Sequence, residues 1–229
     1  MGTRVEEDSG IDGASLRVLA RGLRSLAPEG RWWPYDDPFE ITVSAVLTQR
    51  ARWEGAQRAM KHLRGARLLT PRALARAPRA RVEACVRTAG FYRQKGAALQ
   101  AIASRVVEGY GGRMDSLFKL GDAELRQEIL SWRGVGEETA DAILLYAARR
   151  PTFVVDAYTI RLMRRFGALQ GDSKPSYAEV ARAWRAAGGK TARDAAVLHA
   201  AIVDHSKGLC GAAPQCARCP IERDCARVL

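Results

Sequence analysis

Lysine is scarce in this chain: six residues, Lys61, Lys95, Lys119, Lys174, Lys190 and Lys207, against 31 arginines. That scarcity leaves few side chains for amine chemistry. No apolar run approaches the length of a membrane-spanning helix, and the opening MGTRVEEDSG has no apolar core behind a basic start. The expectation is a soluble cytoplasmic protein with no membrane attachment, a setting that disfavours structural disulfides. There is no internal repeat and no low-complexity tract. β-branched residues cluster only at Thr152–Val155, and a lone strand has no partner, so a sheet is excluded.

Positive charge is abundant. The 229 residues carry a formal net charge of +12 and a pI of about 10.0. Such a balance points toward a polyanion, most often nucleic acid, although it also fits an arginine-rich solvated surface. With 47% hydrophobic residues the chain is globular, long enough for one large domain or two small ones.

The pattern along the chain is all-α. Residues 1–13 are polar and aperiodic, and are expected to be disordered. Leu16, Leu19, Leu23 and Leu26 then recur at helical spacing. Further candidate helices span 38–49, 52–64, 71–77, 79–88, 93–109, 122–132, 137–149, 156–166, 176–187 and 191–206, with Gly, Pro, Asp or Ser at most boundaries. The expected organisation is two helical bodies. One spans 38–148, and the other joins 14–37 to 149–229.

Three local patterns carry chemistry. Cys210, Cys216, Cys219 and Cys225 form C-x5-C-x2-C-x5-C. Zinc knuckles usually pair two tight C-x2-C units. One tight pair between two longer arms better suits a larger cubic body, a [4Fe–4S] cluster. Zinc and disulfides stay open on spacing alone. The fifth cysteine, Cys85, reads as a buried small hydrophobe.

The second pattern is LSWRGVGEETADAILLYA, residues 130–147. Gly134 and Gly136 around Val135 make a tight turn between helices, with Val135 as an apolar anchor. Thr139 follows in the first turn of the next helix. Backbone N–H groups there form an anion cradle that suits a DNA phosphate and reads no sequence. An ordinary αα-turn would use glycine too. The third pattern is Phe153-Val154-Val155-Asp156, which delivers one carboxylate to a helix start. Asp156 is an N-cap, a catalytic carboxylate in a partly desolvated cleft, or both.

Together these parts resemble the helix–hairpin–helix (HhH-GPD) superfamily of DNA glycosylases, in its endonuclease III-like group. The resemblance runs from about Trp32 to Cys225. It includes Pro38-Phe39-Glu40, Ala45-Val46-Leu47-Thr48-Gln49, Ala89-Gly90-Phe91-Tyr92 with Lys95, the hairpin, Val154-Val155-Asp156 and the cysteines. The Trp-Trp-Pro near residue 32 and the acidic hairpin are similar to the endonuclease III-related branch, some of whose members act on alkylated purines such as 3-methyladenine. The resemblance implies a six-helix barrel holding the hairpin, a C-terminal [4Fe–4S] cluster on the four cysteines, and a monomer associated with the nucleoid. It also implies a double-stranded DNA partner containing damaged bases or abasic sites, a target base flipped from the stack, and Asp156 as the carboxylate that steadies an oxocarbenium-like sugar.

The chain departs from the bifunctional endonuclease III pattern at Glu138. There the family's lyases carry the lysine that forms a Schiff base, and a carboxylate forms no imine. The resemblance therefore implies a monofunctional enzyme that leaves an abasic site. A glycosylase/AP lyase on oxidised pyrimidines using another amine stays open, as does a non-catalytic iron–sulfur DNA-binding protein. Glu138 is either a solvent-facing first-turn glutamate or a second carboxylate that favours cationic bases. Gln49 and Arg50 match the position that plugs the hole left by the base, with Arg50 where asparagine is common. Phe91 and Tyr92 match the wedge into the opposite strand, and Thr88 replaces a frequent proline. Trp132 stands where a small residue or proline is usual, and either lines the base pocket or packs in the core. His199 reads as a packing residue.

Overall fold

The computed structural model describes residues 10–28 and 32–228. Among them are twelve α-helices and no strand, as the periodicity predicts. No helix among the described residues is long and apolar enough to cross a membrane. The chain divides into two compact units. One is formed by the described parts of Met1–Trp32 and Pro151–Leu229, the other by Trp33–Arg150.

Helix α1 (Gly13–Arg24) belongs to the first unit. Asp12 caps it by accepting from the Ala14 N–H, and Leu16, Leu19 and Leu23 are buried along one stripe. Of the N-terminal segment expected to be disordered, residues 1–9 lie outside the described residues. Residues 10–12 depart from that expectation. Ile11 bridges Leu169, the Asp12 N–H bonds the Ala168 carbonyl at 3.0 Å, and the Gln170 N–H bonds the Gly10 carbonyl at 2.8 Å. A contact of so few residues leaves no periodic trace in sequence.

The second unit holds α2 (Pro38–Thr48), α3 (Trp53–Gly65), α4 (Pro71–Arg76), α5 (Arg79–Val86), α6 (Tyr92–Tyr110), α7 (Met114–Leu117), α8 (Asp122–Leu130) and α9 (Glu137–Ala142). Asp37 caps α2, and Pro38 fills its first turn, where no N–H is needed. Every residue from Ile41 to Leu47 is buried, so α2 is a core helix without a polar face. Helix α7 has only four residues, too short for periodicity to reveal.

The single helix expected over 137–149 is instead α9 followed by a π-helical turn, Ile143–Ala147. The Ala148 N–H reaches five residues back to the Ile143 carbonyl. Within that turn the Tyr146 ring meets Trp33, centroids 4.6 Å apart, and Trp33 Nε1 donates to Ser44 Oγ.

The first unit closes with α10 (Ala157–Phe166), α11 (Tyr177–Ala187) and α12 (Ala192–Gly208). Thr152–Val155 pairs with no strand. Phe153, Val154 and Val155 are buried, and the Phe153 ring stacks on Trp184 with centroids 5.1 Å apart. Burying each such ring contributes about 2–3 kcal/mol. The run is therefore a hydrophobic anchor that fixes where Asp156 begins α10.

Candidate nucleic-acid interface and carboxylate site

In the second unit, α8 and α9 form the expected hairpin. Gly134 sits at φ +77°, and a Cβ there would lie 3.3 Å from the Ala98 methyl. Glycine is thus favoured by the backbone conformation, and the packing against Ala98 is tight besides. Val135 is buried, as an anchor should be. Gly136 is different: its backbone is extended, and an added Cβ would meet nothing within 4 Å. It is the N-cap of α9 and brings no side-chain cap. Glycine there leaves the approach to the first N–H groups of α9 open, the arrangement an anion needs.

The hairpin is braced from both sides. Arg126 of α8 reaches buried Asp141 at 3.3 Å and Glu137 at 3.4 Å. Gln49, just past α2, donates from Nε2 to the Gly134 carbonyl at 2.9 Å and to Thr139 Oγ1 at 2.8 Å. Its amide thus spans the turn, a bracing role the sequence did not suggest. Glu138 is exposed at the start of α9. Trp132 is buried, and its indole N–H donates to Glu128, which also takes both ends of the Arg105 fork at 2.7 Å.

Two candidate DNA-contacting residues have strained backbones. Arg50 has φ 46° and Phe91 has φ 44°. A non-glycine residue in the left-handed region costs about 1–2 kcal/mol. Both turns lie at the surface, and Phe91 is 57% exposed. Tyr92 follows it at the start of α6, with the guanidinium groups of Arg87 and Arg93 at 4.9 and 5.5 Å from its ring centroid.

In the first unit, Asp156 caps α10. Its Oδ1 accepts from the Thr159 N–H and the Thr159 hydroxyl, both at 2.8 Å. Its Oδ2 lies 3.6 Å from His199 Nε2 of α12, and the carboxylate is only 12% exposed. Burial works to raise its pKa, but His199 and the Thr159 hydrogen bonds outweigh it and hold the carboxyl below its ordinary range. His199 in turn meets the edge of Trp32, centroids 5.5 Å apart, and Trp32 Nε1 donates to Asp204 at 3.0 Å. The pairing of His199 with Asp156 went unread in the sequence, because 43 residues separate the two and no local pattern links them.

Also in the first unit, Cys210, Cys216, Cys219 and Cys225 all line one cavity, with Phe166 and Ile221 among its apolar walls. Its empty space is about 420 Å³, counting the open mouth. All four thiols are free and half-buried, and no disulfide links them. Among the described residues no three His, Cys, Asp or Glu side chains converge on a point that would hold a metal ion. Donors do reach the sulfurs: Arg165 Nη1 to Cys210 at 3.6 Å and the Arg227 N–H to Cys225 at 3.4 Å. Burial first, and the neighbouring cysteines after it, push the Cys219 and Cys225 thiols up. Cys85 is half-buried rather than buried, and burial raises its thiol too.

Known proteins resemble this chain in sequence and in fold. The sequence profile of the HhH-GPD superfamily of base excision DNA repair proteins matches residues 43–186. A Methanocaldococcus jannaschii protein named as a DNA repair glycosylase is 36% identical over 85% of this chain and 88% of its own. The crystal structure of the Helicobacter pylori 3-methyladenine DNA glycosylase bound to 1,N6-ethenoadenine superposes with a TM-score of 0.70 and 26% identity, over 84% of this chain and 97% of that one. An endonuclease III trapped covalently on DNA superposes with a TM-score of 0.79 and 22% identity, over 95% and 97% of the two chains.

Proposed function

The chain belongs to the HhH-GPD superfamily of base excision DNA repair proteins, and on that premise we propose that it hydrolyses the N-glycosidic bond of alkylated bases in duplex DNA and leaves the strand uncut. It is a DNA glycosylase of the endonuclease III-like group. The observation that carries the finer reading is Glu138, an exposed carboxylate at the hairpin position where a lyase of this family needs an amine. Lys95 is no substitute: it is buried, and both hydrogen bonds from its Nζ go to main-chain carbonyls.

In this reading the N–H groups at the start of α9 hold one phosphate, with Gly134, Val135, Gly136 and Thr139 shaping the cradle. Gln49 and Arg50 fill the space of the flipped base, while Phe91 and Tyr92 wedge the opposite strand. Asp156 stabilises positive charge as the glycosidic bond stretches. Both its oxygens already face donors, so it acts as a fixed negative charge, and its lowered pKa keeps it ionised. Water then attacks the sugar. Glu138 favours a cationic, alkylated base over a neutral one. The Helicobacter pylori neighbour, a 3-methyladenine DNA glycosylase, supports an alkylated base as substrate. Trp132 supports the pocket from behind, since its indole N–H is committed to Glu128.

The four cysteines would hold a [4Fe–4S] cluster. An all-sulfur donor set lining one cavity, with Arg165 and the Arg227 N–H aimed at sulfur, fits that group. When bound, it supplies structural closure of the C-terminal loop and no step of the hydrolysis.

The test is incubation of the full chain with duplexes carrying 3-methyladenine, uracil, thymine glycol or an abasic site, with and without borohydride. Release of 3-methyladenine with no borohydride-trapped adduct is expected. A covalent adduct overturns the hydrolytic reading, and no release from any lesion favours a binding protein. Glu138→Gln should slow release of the cationic base more than that of uracil, and equal rates would remove Glu138 from the site.

A further inference from the structure

Lys95 has no role in the reaction just described, yet its placement is costly. It lies in the first turns of α6, 4% exposed, and its ammonium donates to the Leu47 and Ala89 carbonyls, both at 2.8 Å. Burial alone lowers its pKa to about 8. A methionine would fill the same space without desolvating a charge, so packing does not explain the amine.

Its two acceptors explain more. Leu47 belongs to the last turn of α2, three residues before Arg50 with its φ of 46°. Ala89 lies two residues before Phe91 with its φ of 44°. One ammonium therefore grips the chain just upstream of both strained surface turns. The Phe91 side is fixed a second time, because the Thr88 hydroxyl donates to the Gly55 carbonyl at 2.9 Å. Any side chain at Gly55 would collide with the Thr88 carbonyl. Gln49, between Leu47 and Arg50, is tied to the hairpin. Lys95 is thus where the α2 turn and the Phe91 turn are joined inside the second unit.

We propose that Lys95 is a positioning residue that sets the spacing between the two turns that enter the damaged duplex, Gln49–Arg50 on one side and Phe91–Tyr92 on the other. This rests on the DNA-glycosylase reading above. The amine acts through the turns and touches neither base nor sugar. Holding both turns at a fixed separation lets them engage a helix already opened at a lesion and leaves the phosphate grip of the hairpin unaffected.

The experiment is a double-mutant cycle in the full chain with Lys95→Met and Phe91→Ala. Affinity is measured for an undamaged duplex and for one with a tetrahydrofuran abasic analogue, alongside the melting temperature. Lys95→Met should lower the preference for the abasic duplex about tenfold while undamaged binding stays within about twofold, and the double variant should lose no more than the worse single variant. A purely structural lysine would instead weaken both duplexes alike, or its loss would multiply with that of Phe91→Ala, and either result overturns the proposal. Should Lys95→Met fail to fold, Lys95→Arg, which keeps donors at an altered reach, is read in the same cycle. A smaller but equally non-additive loss supports the proposal, and a multiplicative one overturns it. Wild-type protein that binds both duplexes equally would overturn the DNA-repair reading itself, and this proposal with it.

Discussion

Helices α9 and α10 each begin just past a short connecting segment, and they treat their first N–H groups in opposite ways. At α10 the Asp156 carboxylate occupies the cap and takes the Thr159 N–H and hydroxyl. At α9 the cap is Gly136, with no side chain and open space where one would stand. Both ends carry the same partial positive charge of a helix start. With a carboxylate of its own, the helix holds a negative charge in one fixed direction. Without one, it is ready to accept an anion from outside. In the proposed function the same backbone feature would serve as a mount for catalysis in one unit and as a grip in the other, and a single side chain at the cap makes the difference.

The largest effect expected from breaking this comparison comes from Asp156→Asn. Asparagine caps as well as aspartate, so the start of α10 should survive with a loss under about 1 kcal/mol. Base release should fall by about 10³-fold, the scale of removing one electrostatic stabiliser, while abasic-duplex binding stays within about threefold. Single-turnover release and thermal melting check both halves. Activity within tenfold of wild type would reduce Asp156 to a cap.

A middle-sized effect sharpens the catalytic side. The Asp156 pKa lies below the usual 3.8, so its charge is complete above that value and is lost only as the pH falls through the lowered one. Its contribution to stability follows the same course. His199→Gln removes the imidazole that helps to lower it, first by its hydrogen bond and then by coulombic attraction. The acid limb of the rate profile should therefore move to higher pH, and an unmoved limb would make His199 a packing residue after all. The smallest effect comes from Gly136→Ser, which installs at α9 the kind of cap that α10 has. Stability should rise by a few tenths of a kcal/mol, and affinity for any duplex should drop about threefold as the serine hydroxyl competes for the N–H groups. Unchanged affinity would mean that the bare cap holds no phosphate.

The sequence was most legible where function is local. The hairpin could be read because its constraint lies within three residues: Gly134 needs a positive φ and Val135 needs burial. Helix α2 could be read because Asp37-Pro38 marks its start and a mostly apolar stretch follows, broken only by Glu40, Thr42 and Ser44 before Thr48. Pairings across the chain were not legible. His199 on Asp156, Lys95 on Leu47 and Ala89, and Gln49 on Gly134 all join residues brought together only by folding. A buried charge leaves no periodic signal, and a lysine whose partners are backbone carbonyls has no complementary side chain to search for. The four cysteines fall between these cases. Their spacing implied one shared site, and all four line one cavity, but among the described residues no three of them converge on a point that would hold a metal ion.

The π-helical turn at Ile143–Ala147 carries one residue more than an α-helix would use there. It works like slack in a rope. Losing any one residue in it would let the helix close without a break, so the local fold would tolerate the deletion. A residue lost instead from the regular turn of α9 would wind everything downstream by about 100°, and Arg150, whose guanidinium now reaches the Phe118 and Leu120 carbonyls, would point elsewhere. The π-helical turn absorbs the surplus residue and so keeps the exit of the hairpin helix in phase with the loop before α8.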